Sequence, residues 1–359
     1  MRSVGAAAYG REMTTSDPSP TPSAARSTGH PGSETAATVN ATLLLSRAAV
    51  DRRGERRSDP DLFGNLASSP TTRYLALRDG QAPIRDGHLV LLEDAPTGDG
   101  TPPLYLGATT AAGIVPSGTD VVLVQVPGSE SAGPADAGVY QDDHAGAVVP
   151  GAQWRGLRDA ADGLDAVEAG LFVESLALHH WHRVHTHCPR CGAPTEVIEG
   201  GWVRRCTADG SQHFPRTDPA IICAVIDDDD RLLLGRSAQW PANRFSTLAG
   251  FVEPGESLEA AVVREIGEEA GIVVDSPRYL GSQPWPFPCS LMLGFTAHAT
   301  GTRAVPDGIE ILDLRWFTRD ELAAAVGAGE VRLPGTVSIA RRLIEHWYGE
   351  PLADPEGAW

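Results

Sequence analysis

The spacing of apolar residues changes character along the chain. Between about residues 40 and 150 they come in short runs, such as Val90-Leu91-Leu92, Leu104-Tyr105-Leu106 and Val121-Val122-Leu123-Val124, divided by clusters of Gly, Pro and Asp. Short runs bounded by turn residues predict strands, hence a small β-rich domain. From about 160 to 184, Leu164, Leu171, Leu176 and Leu178 fall near one stripe, interrupted only by Gly170, which predicts a helix. After residue 217 the run Ala220-Ile221-Ile222-Cys223-Ala224-Val225-Ile226 predicts a buried strand. A turn follows at Asp227 to Asp230, and Arg231-Leu232-Leu233-Leu234-Gly235 returns, giving a β-hairpin. Over residues 257–270, Leu258, Ala261, Val262 and Ile266 form a helical stripe, with Ser257 as N-cap and Gly271 as stop. Further strands and a helix from about 336 to 348 complete a succession that predicts an α/β sandwich.

Composition narrows the chemistry. Residues 1–38 are rich in Ser, Thr, Pro, Ala and Gly, so they read as a disordered tail or an overextended start. The formal charge of −18 argues against a broad basic surface for nucleic acid. All 29 basic residues are arginine, which excludes a Schiff-base lysine and a P-loop lysine. The cluster Arg52, Arg53, Arg56 and Arg57 reads as a solvated loop, with phosphate contact as its alternative. No apolar run reaches the ~20 residues that cross a bilayer, and no apolar leader is visible, so the expected location is the cytoplasm.

The stretch Gly250 to Ile272, GFVEPGESLEAAVVREIGEEAGI, concentrates acid on one helix. Glu265 and Glu269 are four apart and Glu265 and Glu268 three apart, so three carboxylates crowd one face and repel. A hard divalent cation relieves that conflict, and all-oxygen ligation suits Mg²⁺ or Mn²⁺. The bland alternative is a solvated acidic face. Arg264 cannot ligate a cation but can hold Glu256 or another carboxylate. The residues Gly250, Glu256, Arg264, Glu265, Ile266, Glu268, Glu269, Gly271 and Ile272 resemble the Nudix box at every fixed position. The resemblance implies that Glu265 and Glu269 ligate catalytic metal at an exposed cleft, with the Ala249 carbonyl beside them. It also implies Glu268 as a ligand or water-orienting base.

Downstream lies Ser282-Gln283-Pro284-Trp285-Pro286-Phe287-Pro288-Cys289-Ser290. Alternate prolines stiffen it into an extended path. Trp285 and Phe287 either fill a core or line a site. The segment resembles the signature of the NADH pyrophosphatases, which include NAD-cap RNA hydrolases. That resemblance implies that Gln283, Pro284, Trp285, Pro286, Phe287, Pro288, Cys289 and Ser290 line a dinucleotide site. It further implies Glu310 as a metal ligand, Phe214 near the substrate, and Ala340 touching substrate through its backbone. The alternatives are a surface position for Glu310 and helix packing for Ala340.

Five cysteines, three of them close in sequence, argue for metal rather than disulfides. Cys188-Pro-Arg-Cys191 forms a knuckle suited to structural Zn²⁺ with Cys206. Relatives carry a second Cys-x-x-Cys; here Asp209 takes the last place, and His213 is the substitute fourth ligand. The alternative is a set of reduced thiols. The run His179, His180, His182, His185 and His187 reads as a tolerant helix end rather than a metal site.

The expected architecture is α/β: an N-terminal β-rich domain (39–150), a connecting helix (151–186), a zinc ribbon (187–216), a Nudix α/β/α sandwich (217–349) and a tail (350–359). The expected activity is metal-dependent hydrolysis of the pyrophosphate of NAD(H) to nicotinamide mononucleotide and AMP. NAD-capped RNA 5′ ends are a second substrate that the same site would serve. Rival expectations are a diphosphatase for ADP-ribose or a similar compound, and a non-catalytic Nudix-fold ligand sensor. The resemblance also implies a homodimer.

Overall fold

The computed structural model describes residues 39–128 and 149–353. The tail expected over residues 1–38 lies outside the described residues, as does most of that expected over 350–359. Among the described residues no helix is long and apolar enough to cross a membrane.

The first unit is built on a five-stranded sheet in the order β1-β6-β7-β2-β5. Its strands are β1 (Val50–Asp51), β2 (Arg73–Leu77), β5 (Leu91–Leu92), β6 (Leu104–Thr109) and β7 (Asp120–Gln125). A smaller sheet joins β3 (Ala82–Arg85), β4 (His88–Leu89) and β8 (Gln153–Arg155). Alternate residues of the main sheet enter different cores. Leu75, Leu77, Val121 and Leu123 pack with Leu171, Phe172 and Leu176, while Tyr74, Ala76, Val122 and Val124 pack with Leu62 and Leu66 of α1 (Leu62–Ala67). Because both faces are covered, the strands read as continuous apolar runs rather than alternating ones.

The helix expected from about 160 is two helices, α2 (Leu157–Ala160) and α3 (Ala166–Val184). The chain turns through Asp162-Gly163, and Asp165 then caps α3 in a reciprocal box with Glu168. The histidines at the end of α3 are fixed individually. His179 bonds Gln125 at 2.9 Å, and His182 bonds the Gly201 carbonyl at 2.8 Å and Arg204 at 3.0 Å. Burial first, then neighbouring positive groups, pushes His179 down to about 4.

A three-stranded ribbon follows, comprising β9 (Thr195–Ile198), β10 (Val203–Cys206) and β11 (Gln212–His213). The basic cluster is not a solvated loop but the seam between ribbon and first sheet. Arg57 stacks on Trp202 with 3.6 Å between guanidinium and ring centre. Arg53 and Arg56 pair with Asp120 at 3.2 and 2.9 Å, and Trp202 Nε1 donates to the Tyr105 carbonyl at 2.8 Å.

The last unit is a six-stranded mixed sheet. It contains β12 (Asp218–Ile226), β13 (Leu232–Ser237), β14 (Leu248–Phe251), β15 (Val274–Trp285), β16 (Ser290–Ala299) and β17 (Ile311–Phe317). The expected hairpin is β12–β13, with Asp227 accepting from the amides of Asp229 and Arg231 in its turn. On β12, Ile221, Cys223 and Val225 face α4 (Leu258–Ala270). Ile222 and Ala224 face α5 (Arg319–Gly327) and α6 (Ile339–Tyr348), so the unit is an α/β/α sandwich. Val39 and Leu43, from the beginning of the described chain, also sit in that second core.

Candidate active site and structural metal centre

The glutamate helix is set by local chemistry. Ser257 Oγ accepts from the Ala260 amide at 3.2 Å, and Gly271 closes the helix at a φ of 64°. Ala261, Val262, Ile266 and Ala270 bury one face against the sheet, which leaves the carboxylates at its margin. Gly250 on β14 makes room for them: a Cβ there would lie 2.0 Å from the Glu265 carboxyl carbon.

Arg264 organises one side of the cluster. It donates to Glu256 at 3.1 Å, Glu265 at 2.9 Å, Glu268 at 3.0 Å and the Phe251 carbonyl at 2.9 Å. Glu269 lies on the other side and, contrary to the exposed position expected, it is 7% exposed. Its Oε2 is buried without a hydrogen-bond partner. Burial, then the negative fields of Glu265, Glu310 and Asp307, push its carboxyl up to about 8; a backbone hydrogen bond from Ala249 offsets part of this. Asp307 shapes the loop that brings Glu310 in, accepting from the amides of Ile309, Glu310 and Ile311.

The proline–tryptophan segment is not one extended path. Gln283, Pro284 and Trp285 end β15, residues 286–289 turn, and Ser290 begins β16, with Trp285 paired to Ser290. Interstrand register aligns Phe251, Ala220, Met292 and Gln283 in one row. Three interstrand steps of ~4.8 Å place Gln283 about 14 Å from β14. The hairpin tip and the start of the loop into α4 therefore share one end of the sheet. Gln283 is fully buried and donates to the Val337 carbonyl at 2.9 Å. Trp285 and Phe287 meet edge-to-face at 5.0 Å and pack on the core of the first unit. Cys289 Sγ donates to Asp218 at 3.3 Å. Phe214 is 61% exposed, whereas Ala340 is buried and its amide is taken by Ser338 Oγ at 3.2 Å.

In the ribbon, the ligand atoms of Cys188, Cys191, Cys206 and Asp209 all lie within 4.8 Å of one another. Amides of Arg190, Ala208 and Asp209 point at the sulfurs of Cys188 and Cys206 at 3.4 Å. Ser211 donates through its hydroxyl at 2.6 Å and its amide at 2.9 Å to Asp209. These bonds hold that carboxyl down to about 2, so it is ionised at any physiological pH. His213 is outside the four-residue set and stands behind Ser211, 3.3 Å from its hydroxyl.

Comparison with known proteins adds to this geometry. A Nudix domain model matches residues 216–333, and a model of the NADH pyrophosphatase zinc ribbon domain matches residues 183–214. A protein of Stutzerimonas stutzeri named NAD-capped RNA hydrolase NudC is 43% identical over 210 residues, covering 58% of this chain and 73% of that protein. The chain belongs to the NADH pyrophosphatase family of Nudix hydrolases. A similarly named protein of Mycobacterium bovis is 47% identical over 203 residues, covering 53% of this chain and 64% of that protein. The chain thus spans slightly less than two thirds of that relative. A crystal structure of a Nudix hydrolase from Nitrosomonas europaea aligns with a TM-score of 0.37 at 22% identity, over 46% of this chain and 95% of that one.

Membership in this family implies Mg²⁺ or Mn²⁺ at the glutamate helix and structural zinc in the ribbon. Both donor sets fit. Glu265, Glu269 and Glu310 offer oxygen alone, and the unpartnered Oε2 of Glu269 is the kind of buried atom that a cation satisfies. Their carboxylates are less tightly gathered than the ribbon set: among the described residues only that set has every ligand atom within 4.8 Å. Arg264 pairs with Glu265 at 2.9 Å and with Glu268 at 3.0 Å. Three thiolates and a carboxylate make a four-ligand set that suits tetrahedral zinc.

Sequence reasoning missed Asp307, Ser211 and Arg158. Asp307-Gly308 is a turn signal that could have flagged the Glu310 loop. Arg158 gives no local signal. It stacks on Phe287 at 4.1 Å and Trp285 at 5.2 Å from a helix more than 120 positions away.

Proposed function

We propose that the protein is a metal-dependent diphosphatase that splits NAD(H) into nicotinamide mononucleotide and AMP. The observation that carries this reading is the buried, partnerless oxygen of Glu269 beside Glu265 and Glu310, at the sheet end where the proline–tryptophan hairpin turns. Glu265, Glu269, Glu310 and the Ala249 carbonyl would hold Mg²⁺ or Mn²⁺. When bound, such ions neutralise the diphosphate and acidify a water. Arg264 keeps Glu256, Glu265 and Glu268 in place. Glu268, whose side chain is 62% exposed, accepts the proton of the attacking water. One phosphorus gains the water oxygen, and the bridging oxygen leaves on the other. Gln283 to Ser290, with Phe214, bound the dinucleotide, and aromatic faces select its rings. Ala340 serves through packing of α6 rather than through its capped amide. Cys188, Cys191, Cys206 and Asp209 would hold zinc as a structural ion, with His213 behind them.

A second reading, removal of NAD caps from RNA, is favoured by the names that the relatives carry. It uses the same bond and residues. The chain's −18 charge predicts little help from the RNA body, so capped RNA and free NAD should show similar salt dependence. Retention of Glu265, Glu268 and Glu269 speaks against a non-catalytic sensor. The resemblance also supports a homodimer, which light scattering would test.

The deciding experiment is mass spectrometry of products from NADH, NAD⁺ and ADP-ribose incubated with protein and Mg²⁺ or Mn²⁺. Formation of nicotinamide mononucleotide and AMP, faster than ADP-ribose cleavage, is expected. Exclusive cleavage of ADP-ribose would refute the dinucleotide reading.

A further inference from the structure

The aromatic hairpin does not stand alone. Its exposed neighbour Arg158, on α2 of the connecting region, covers both rings, 4.1 Å from the centre of Phe287 and 5.2 Å from that of Trp285. Three further contacts join the same two parts of the molecule. Ser46 Oγ donates to the Ser282 carbonyl at 2.6 Å, just before the signature. Thr336 Oγ1 donates to Asp162 at 2.6 Å, next to Val337, whose carbonyl takes the Gln283 amide. Trp285 and Phe287 pack on the first unit's core, which also takes in Val337.

The rest of the hairpin is held by its own pair of strands, and the Arg158 guanidinium lies over both rings. A guanidinium lying on a ring restricts ring rotation and is attracted by its face. Every other residue expected to line the site lies in the ribbon or the last unit. Arg158 and Ser46 are instead supplied by the first part of the chain.

We propose that Arg158 is a positioning residue for dinucleotide recognition: it fixes the rings of Trp285 and Phe287, and through them the base-binding wall of the site. This rests on the dinucleotide reading given above. It also gives the N-terminal region a role in substrate selection, as the outer support of a site whose chemistry lies elsewhere.

The test compares Arg158→Ala, Arg158→Gln and Arg158→Lys with the unmodified full chain. Two measurements are made: NADH kinetics at saturating Mn²⁺, and hydrogen exchange of the backbone. Exposed cation–ring contacts of this kind correspond to about a two- to five-fold change in binding. Arg158→Ala and Arg158→Gln are therefore expected to raise KM for NADH by about that factor with kcat unchanged, and Arg158→Lys to recover part of it. Exchange should quicken over residues 285–290 and stay unchanged over residues 258–270. A fall in kcat with KM unaltered, or exchange that does not change at the hairpin, would overturn the proposal. If the unmodified protein fails to cleave NADH, the dinucleotide reading itself falls, and the exchange measurement still decides whether Arg158 fixes the rings.

Discussion

Exchanging Glu269 for glutamine should make the magnesium-free protein more stable while removing its catalysis. The buried carboxyl has its pKa raised from an ordinary 4.5 to about 8 by burial first and by Glu265, Glu310 and Asp307 next. A carboxyl raised in this way keeps its proton in the folded chain at pH values where the unfolded chain releases it. Stability is thus unaffected below about 4.5, falls as pH rises, and is fully reduced above about 8. At ~1.4 kcal/mol per pH unit, the folded protein at pH 7 carries a penalty of about 3 kcal/mol, and at pH 5 of less than about 1 kcal/mol. Glutamine cannot ionise, so Glu269→Gln should lack that pH dependence. The assay is urea unfolding of both proteins from pH 5 to 8 in magnesium-free buffer without chelator, so that the ribbon keeps its metal. Glu174, raised to about 7 by burial, titrates in both proteins and cancels in the comparison. Added Mg²⁺ should stabilise the unmodified protein and not the variant, because binding requires the ionised carboxylate. If the two proteins lose stability in parallel between pH 5 and 8, the placement of Glu269 as a strained, buried ligand is wrong. A variant that keeps most of its turnover at saturating Mg²⁺ would remove it from the metal site.

Three other outcomes are expected. Gly250→Ala puts a methyl group into the space of the Glu265 carboxylate, so Mn²⁺ affinity measured by electron paramagnetic resonance should fall by more than about ten-fold; unchanged affinity would show that Glu265 is not a ligand. Gently purified protein should contain about one zinc per chain. Asp209→Cys should slow zinc transfer to a colorimetric chelator and Asp209→Ala should hasten it, whereas equal rates would exclude Asp209 from the coordination shell. Trp202→Ala and Arg57→Ala should each destabilise the seam between ribbon and first sheet, with a coupling of about 0.5–2 kcal/mol in a double-mutant cycle; additive effects would mean that the stacked pair contributes nothing of its own.

What the sequence discloses follows the range of the interactions involved. The glutamate helix is legible because Ser257, Gly271 and the apolar stripe act within a few residues of one another. The β12–β13 hairpin is legible for the same reason, since Asp227 organises its own turn. The break before α3 was also written locally, in Asp162-Gly163 and in the Asp165–Glu168 box, but a run of leucines masked it. Other features have no local trace. Glu269 and Glu268 are neighbours of identical type, and only the packing of α4 against the sheet makes one buried and the other exposed. The arginine cluster reads as solvated until Trp202 and Asp120 are brought to it by folding. The position of the aromatic hairpin depends equally on distant residues, because its supports come from Ser46, Arg158 and Asp162.

Val39 and Leu43 carry a practical consequence for dissecting this molecule. They insert among Leu280, Leu343 and Ile344, far along the chain. Leu43 and Asn40 also lie so close to Gly281 that a methyl group there would meet them at 3.1–3.2 Å. Cutting the chain at residue 217 would strip two aliphatic plugs from the back of the catalytic sheet and leave a greasy slot open to water. A fragment of residues 217–353 would therefore tend to clump, and supplying residues 39–46 as a separate peptide should restore it to solution.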